Sequence, residues 1–214
     1  QKAKKTIKEL LEEKGLQAAR LDTELINKGN NEVDLIFRID EGPKLRVGEV
    51  VFVGKNKVPD SFLVQAMKDN RVHNLFNWIS GKDVFKKNKL EENINEIKKK
   101  LQEFGYMEAS VGEPKIEEIT KKTVFFKNQK MMRIIIPVDP GLVYRTGEIK
   151  VEGNKFIKTN YLLNMVKLKP GEIYSSKKRE KTIEDMGEMY RNFAFLYAQV
   201  IPVESLDPKN KIVN

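Results

Sequence analysis

The sequence predicts an α+β array of tandem small β-α-α-β-β modules, each a three-stranded mixed sheet covered on one face by two helices. Three observations predict it. Gly42, Arg46, Gly48, Glu49 and Gly54 recur 99 positions later as Gly141, Arg145, Gly147, Glu148 and Gly153. The apolar set Ile94, Ile97, Leu101 and Phe104 recurs at an offset of 89 as Ile183, Met186, Tyr190 and Phe193, and the steps of three, four and three put each set on one helical stripe. A further copy opens the chain, where Ile7, Leu11, Gly15 and Ala19 lie 90 positions before Ile97, Leu101, Gly105 and Ala109; it lacks its first half. Ala109 and Val111 also match Ala198 and Val200, so the repeat runs on into the next strand. Arrays of this kind present long surfaces rather than one deep pocket, which favours binding and scaffolding over catalysis.

Taken in order, a helix over residues 2–14 ends at Gly15, a strand follows from Gln17 to Ile26, and Lys28-Gly29-Asn30-Asn31 form a turn. Val33, Leu35, Phe37 and Ile39 then alternate with Asp34, Arg38 and Asp40, the pattern of a strand with one buried face, Ile36 excepted. The next module opens with a strand over Arg46–Val53, turns at Gly54, and enters a helix with Pro59, Asp60 and Ser61 near its start and Phe62, Leu63, Ala66 and Met67 on its buried face. An irregular aromatic connector, Arg71–Phe85, leads to a long helix over 87–104 stopped by Gly105. A strand over Tyr106–Val111, a polar excursion through Lys121-Lys122, and the apolar run Met131–Val138 complete the module. The last module repeats this with a strand over 146–152, helices over 159–167 and 176–193, a strand over 196–203 and a turn at Asp207–Asn210. The partition is therefore 1–42 (second helix and hairpin only), 43–140 (complete) and 141–214 (truncated at its last strand), with both ends cut from a longer chain.

The 214 residues, 40% of them hydrophobic, suffice for two small cores and part of a third. No apolar run reaches the roughly 18 residues of a membrane-spanning helix, and no signal peptide is present. The absence of cysteine excludes disulfides and thiolate metal sites. A net charge of +9 leaves nucleic acid, an anionic membrane surface and acidic polypeptides open as partners. Lys86, Lys87, Lys89, Lys98, Lys99 and Lys100, and then Lys177, Lys178, Arg179 and Lys181, line exposed helices. The aromatics fall on buried stripes rather than on an open sheet, which disfavours nucleic acid.

Chemistry finds little material. His73, the single histidine, sits in the polar connector with Asn70, Arg71 and Asn74, where an exposed or capping role is expected rather than general-base work. Gly54 and Gly153 are read as positions of positive φ or close approach, since neither a Gly-x-Gly-x-x-Gly nor a Gly-Lys-Ser/Thr signature is present. No spacing suggests metal ligands, and no cofactor is implied. Trp78, Phe76 and Phe85 are read as a small cluster beneath the connector, with an exposed recognition patch as the alternative. Gly42, Arg46, Gly141 and Arg145 mark the interdomain seams, where either arginine could pair with an acidic residue.

The stretches Glu41-Gly42-Pro43, Val47-Gly48-Glu49-Val50-Val51-Phe52-Val53-Gly54 and Thr146-Gly147-Glu148-Ile149-Lys150-Val151-Glu152-Gly153-Asn154-Lys155, with the seam Gly105–Val111, resemble the polypeptide-transport-associated (POTRA) family over nearly the whole chain. Phe76-Asn77-Trp78 with Phe85, and Leu168–Tyr174, resemble its middle and later domains in outer-membrane assembly factors. The resemblance implies a non-enzymatic periplasmic portion of an outer-membrane protein, followed by a β-barrel. Implied partners are unfolded outer-membrane β-barrel proteins and accessory lipoproteins. A two-partner secretion transporter and a non-binding structural spacer remain as alternatives, the module count favouring the assembly type. The implied strand order puts the last strand in the middle and the penultimate one at an edge. Tyr106, Met107, Glu108, Ala109, Ser110 and Val111, and Leu196, Tyr197, Ala198, Gln199, Val200 and Ile201, thereby become candidate rails for adding a client strand. Contact with a membrane surface is the other use expected of the charge.

Overall fold

A computed structural model describes residues 2–29, 32–56, 58–122 and 128–214. The chain divides into two compact units, Gln1–Ile97 with Val111–Val138, and Lys98–Ser110 with Asp139–Asn214.

In the first unit, helix α1 (Lys2–Glu13) leads into an antiparallel hairpin of β1 (Arg20–Gly29) and β2 (Glu32–Asp40), with Leu21 opposite Ile39 and Leu25 opposite Leu35. Asn30 and Asn31 of the expected turn lie outside the described residues. The alternation along β2 calls for a buried face. Instead, Leu25, Val33, Leu35 and Ile39 are 70%, 56%, 49% and 47% exposed, because a two-stranded ribbon has no layer over that face among the described residues.

Next come β3 (Val47–Val53), α2 (Asp60–Ala66), α3 (Leu75–Ile79), a 3-10 turn at Lys87–Lys89 running into α4 (Leu90–Gln102), β4 (Ser110–Val111), β5 (Lys115–Lys121) and β6 (Gln129–Asp139). The last strand takes the middle. β3 lies parallel to β6, with Val50 opposite Ile134 and Phe52 opposite Ile136; β5 is antiparallel to it, with Ile116 opposite Ile134 and Ile119 opposite Met131; β4 flanks the same strand. Val47, Leu63, Met67, Ile97, Met131, Ile134 and Ile136 are buried in this unit. Each fully buried aliphatic side chain of this size contributes about 1.5–3 kcal/mol.

The stretch read as a polar excursion thus contains a strand, β5. Its sequence Lys-Ile-Glu-Glu-Ile-Thr-Lys offers two isoleucines three apart, which breaks the period of two, and its other residues face solvent as an edge strand allows. Gly54 has φ +79°, and a β-carbon there would approach the Val138 carbonyl oxygen to 2.9 Å, so both expected reasons for glycine hold at that position.

The second unit contains β7 (Arg145–Thr146), α5 (Thr159–Met165), α6 (Ser176–Asn192), β8 (Leu206–Asp207) and β9 (Ile212–Val213), in the order β7-β9-β8 with β7 and β9 parallel. Tyr144, Tyr174 and Val213 form a buried cluster against which Met107 and Leu168 pack, while Leu162 and Met186 are buried from α5 and α6. The expected turn is built by Asp207, whose carboxylate accepts from the Asn210 backbone N–H (3.0 Å) and side-chain amide (2.7 Å). The strands expected over 146–152 and 196–203 do not form beyond Thr146. A strand needs a partner, and β9 supplies two paired residues, the ladder stopping at Thr146 opposite Val213.

The end of α4 shows how one position departs from its copy. Gly105 takes φ +86° and terminates the helix, and a β-carbon there would approach the Tyr144 carbonyl oxygen to 2.9 Å. At the matching site after α6 stands Ala194, held at φ +64°. A left-handed alanine costs about 1–2 kcal/mol, and glycine gives back about 0.4–1 kcal/mol through its looser unfolded chain. Ala194→Gly is therefore expected to stabilise the second unit by about 0.5–1 kcal/mol, read as a raised denaturation midpoint; an unchanged or lowered midpoint would contradict the strain.

Candidate functional site

The two glycine turns expected at the seams are built alike. Gly42 donates its N–H to Asp40 Oδ1 at 3.2 Å and Gly141 to Asp139 Oδ1 at 3.1 Å, with φ of +61° and +67°, so an aspartate side chain closes each turn. Past the turn, Arg46 makes a lone antiparallel bridge to Val84 and Arg145 makes the equivalent bridge to Ile173. The side chains then diverge. Arg46 Nη1 lies 2.6 Å from Oδ2 of the fully buried Asp83, whereas Arg145 Nη1 donates to the Gly171 carbonyl at 2.7 Å.

His73 joins the same carboxylate, its Nδ1 lying 2.5 Å from Asp83 Oδ2. The histidine is thus half-buried and anchored rather than exposed or capping. The capping belongs to Asn74, whose Oδ1 accepts from the Asn77 N–H at 2.9 Å at the start of α3. Spacing alone gives little sign of Asp83; the one cue is that it is the sole acidic residue between Asn70 and Leu90.

Within the first candidate rail only Ser110 and Val111 are strand. Tyr106 donates to the Leu101 carbonyl at 3.2 Å, Met107 to Gly105 at 3.0 Å and Ala109 to Tyr106 at 3.2 Å, so those N–H groups are spent in a compact turn. Met107 packs on the tyrosine cluster, and Glu108 Oε2 accepts from the Tyr144 hydroxyl at 2.6 Å. That bond, with burial behind it, pushes the Tyr144 pKa up to about 12. Tyr106–Ala109 therefore hold the base of the second unit, and the free edge starts at Ser110.

In the second candidate rail, Leu196 and Tyr197 lie in a turn, 70% and 95% exposed, and Ala198–Ile201 have no strand partner among the described residues. Facing Ala198–Glu204 are Glu148–Asn154, and between the two stretches lies a cleft of about 570 Å³ floored by Leu162, Ile183, Met186 and Tyr190. Tyr174 and Arg179 stand at one end, both bonded to Glu204; burial first, and that bond second, raise the Tyr174 pKa. In the first unit β6 fills the corresponding place between β3 and β5. Along the walls of this slot Glu148 N–H is held by Asn214 Oδ1 at 2.9 Å and Ala198 N–H by the Phe195 carbonyl at 3.1 Å, while Ile149–Asn154 and Gln199–Glu204 lie in no strand ladder among the described residues.

Phe76 and Trp78 overturn the expectation of a cluster under the connector. Phe85 is buried, but Phe76 is 82% and Trp78 52% exposed, since the short α3 turns them outward. Among the described residues no group of three or more His, Asp or Glu is placed to hold a metal ion, and no helix is long and apolar enough to cross a membrane.

The sequence model of the POTRA family, described as a surface antigen variable number repeat, matches residues 45–141 and again 144–214. The chain belongs to the POTRA family. It is 22% identical over 184 residues to the outer membrane protein assembly factor BamA of Buchnera aphidicola, covering 86% of this chain and 28% of that protein. It is 21% identical over 196 residues to BamA of Neisseria meningitidis, covering 89% of this chain and 24% of that one. The chain thus spans about a quarter of the length of the curated relatives it matches. A crystal structure of the Haemophilus influenzae BamA POTRA3-5 segment superposes with a TM-score of 0.52 at 19% identity, covering all of this chain and 76% of that one. The α+β architecture is that of POTRA domains. The first POTRA match carries the pair of Arg46 with the buried Asp83, and at the matching place in the second Arg145 bonds to a carbonyl.

Asp83 is the buried acceptor shared by Arg46 and His73, so its removal breaks two hydrogen bonds to one carboxylate at once. Asp83→Ala is accordingly expected to destabilise the first unit by about 3 kcal/mol, whereas Arg145→Ala, which removes a single exposed bond to a carbonyl, is expected to cost about 1 kcal/mol. Denaturant unfolding of both variants checks the contrast, and equal losses would contradict it.

Proposed function

We propose that this POTRA array is a periplasmic portion of an outer-membrane β-barrel assembly factor, binding unfolded outer-membrane β-barrel proteins and accessory lipoproteins in part by taking their strands onto its sheets. The likeness to BamA supports the assembly role. The observation that carries the binding mode is the slot, whose walls at Ile149–Asn154 and Gln199–Glu204 lie in no strand ladder among the described residues on either side of an apolar floor. The partition into modules 1–42, 43–140 and 141–214 belongs to the same proposal and is supported by the two family matches.

A strand laid along either rail gains main-chain bonds that read shape rather than sequence. Four such bonds at a net of about 0.5–1.5 kcal/mol each give about 2–6 kcal/mol before ordering costs, hence weak and reversible contact. Weakness suits a site that hands its client onward. A specific observation favours a second reading of the slot: since β6 fills the equivalent place from within its own module, a strand continuing β9 would occupy it in the same way. Client contact would then fall to the edges that start at Ser110 and Gln199, since Ala198 N–H is spent on the Phe195 carbonyl as Ala109 N–H is on Tyr106.

An NMR titration of the chain with a peptide from the terminal strand of an outer-membrane β-barrel, with a short oligonucleotide as control, tests these readings. The expected shifts lie at Ser110, Val111 and Ala198–Ile201. Proline at Ser110 or at Gln199 removes one donor and is expected to weaken binding about three- to tenfold with circular dichroism unchanged. Silence at both rails, with oligonucleotide shifts along the lysine-rich helices, would overturn the proposal. Loss of the Ala198–Ile201 shifts on extending the chain by seven residues copied from Arg133–Asp139 would select the second reading of the slot.

A further inference from the structure

The connector of the first unit presents an apolar knob. In α3, Leu75, Phe76, Trp78 and Ile79 are 60%, 82%, 52% and 73% exposed, four large apolar side chains in a five-residue helix. Only Asn77 turns inward, its Nδ2 donating to the Val72 carbonyl at 2.8 Å. The knob is not a frayed end. Asn74 caps it, Ser80 donates to the Phe76 carbonyl at 3.1 Å, Lys82 donates to the Asn77 carbonyl at 2.9 Å, and Arg71 donates to the Lys82 carbonyl at 2.8 Å. Backbone bonds on both sides thus fix the four side chains in an outward position, where exposure of apolar area is unfavourable unless something covers it.

The charge around the knob selects what covers it. Between Asn70 and Leu90 the cations are Arg71, Lys82, Lys86, Lys87 and Lys89, and the one carboxylate is Asp83. Asp83 is fully buried and closed off by Arg46 and His73, so it contributes nothing to the outer surface. Lys86 and Lys89 are engaged with Asp69 and Glu92, and Arg71 Nε is turned to the Met67 carbonyl at 2.7 Å, while the exposed Lys82 and Lys87 are in no ion pair among the described residues. The surface is an apolar, tryptophan-bearing tip with Lys82 and Arg71 at its base, where the Lys82 backbone bonds to Asn77 and the Arg71 backbone to Lys82. An apolar pocket on a protein partner would have no need of that cationic base. A bilayer carrying anionic headgroups matches both parts, with rings and aliphatic groups at the headgroup–acyl boundary and lysines at the phosphates.

We propose that α3 is a membrane-surface contact that docks the array on an anionic lipid bilayer, with Phe76 and Ile79 entering the interface, Trp78 beside them, and Lys82 on the phosphates. The proposal deepens the membrane-surface contact expected of the charge. It shares no residue with the strand rails, so either can fail alone.

Trp78 is the single tryptophan of the chain, which makes its fluorescence a reporter placed at the contact. With phosphatidylglycerol vesicles the emission of the whole chain is expected to move to shorter wavelength and saturate, with the effect reduced by salt and absent with phosphatidylcholine vesicles. Phe76→Ser with Ile79→Ser is expected to weaken partitioning about tenfold or more, and Lys82→Glu to weaken it about fivefold, each with an unchanged circular dichroism spectrum. All three positions are exposed, so their substitution leaves the core untouched. No emission shift with anionic vesicles, equal partitioning into neutral ones, or an unaltered shift in the double serine variant would each overturn the proposal.

Discussion

The two larger sheets depend on one constraint: the middle strand is the last to arrive. β6 pairs in parallel with β3 on one side and antiparallel with β5 on the other, and nothing between Val53 and Gln129 can be closed into a sheet until that strand is in place. A parallel pairing needs a crossover, and α2, α3 and α4 supply it. The contacts that matter most are therefore far apart in sequence, which makes them expensive in loop closure and gives a large burial return only once Ile134 and Ile136 are seated. The second unit displays the same constraint from the other side. With two residues of β9 paired, its flanking stretches keep their unladdered backbone, and the cleft follows.

Much of the fold was legible because the repeat speaks about backbone geometry. The paired stripes on α4 and α6, the glycine turns at the seams and the positive φ of Gly54 and Gly153 are local properties, and local properties survive in a sequence without its partners. What escaped was non-local. Ile149 and Val151 carry a strand pattern but stay outside any strand, since the pattern records readiness to pair rather than pairing. The β1–β2 hairpin alternates as though one face were covered, and whether it is covered is decided elsewhere. β5 failed in the opposite way, forming a strand from a composition that reads as loop because β6 offered it a complete ladder.

The candidate surfaces were legible in position more than in chemistry. Arg46 and Arg145 occupy the same place relative to their strands and make the same backbone bridge, yet one closes on a buried carboxylate and the other on a carbonyl. Repetition preserves the frame and leaves side chains free to diverge. Likewise Phe76 and Trp78 sit among residues whose pattern fits a cluster, and only the five-residue helix capped by Asn74 turns them outward. Sequence could not supply that, because the decision rests on where a short helix stops.

The edge strand β5 has one more consequence, which concerns what this protein refuses. Lys115-Ile116-Glu117-Glu118-Ile119-Thr120-Lys121 has lysine at both ends and glutamate at its centre, so its charge reads nearly the same in either direction. A second copy of the strand aligned in register would meet lysine with lysine and Glu118 with Glu118, whether it came parallel or antiparallel. Self-recognition along that rail is thus discouraged in both orientations, while a strand with a different charge pattern meets no such barrier. An array crowded among its own kind can keep an open edge without polymerising through it.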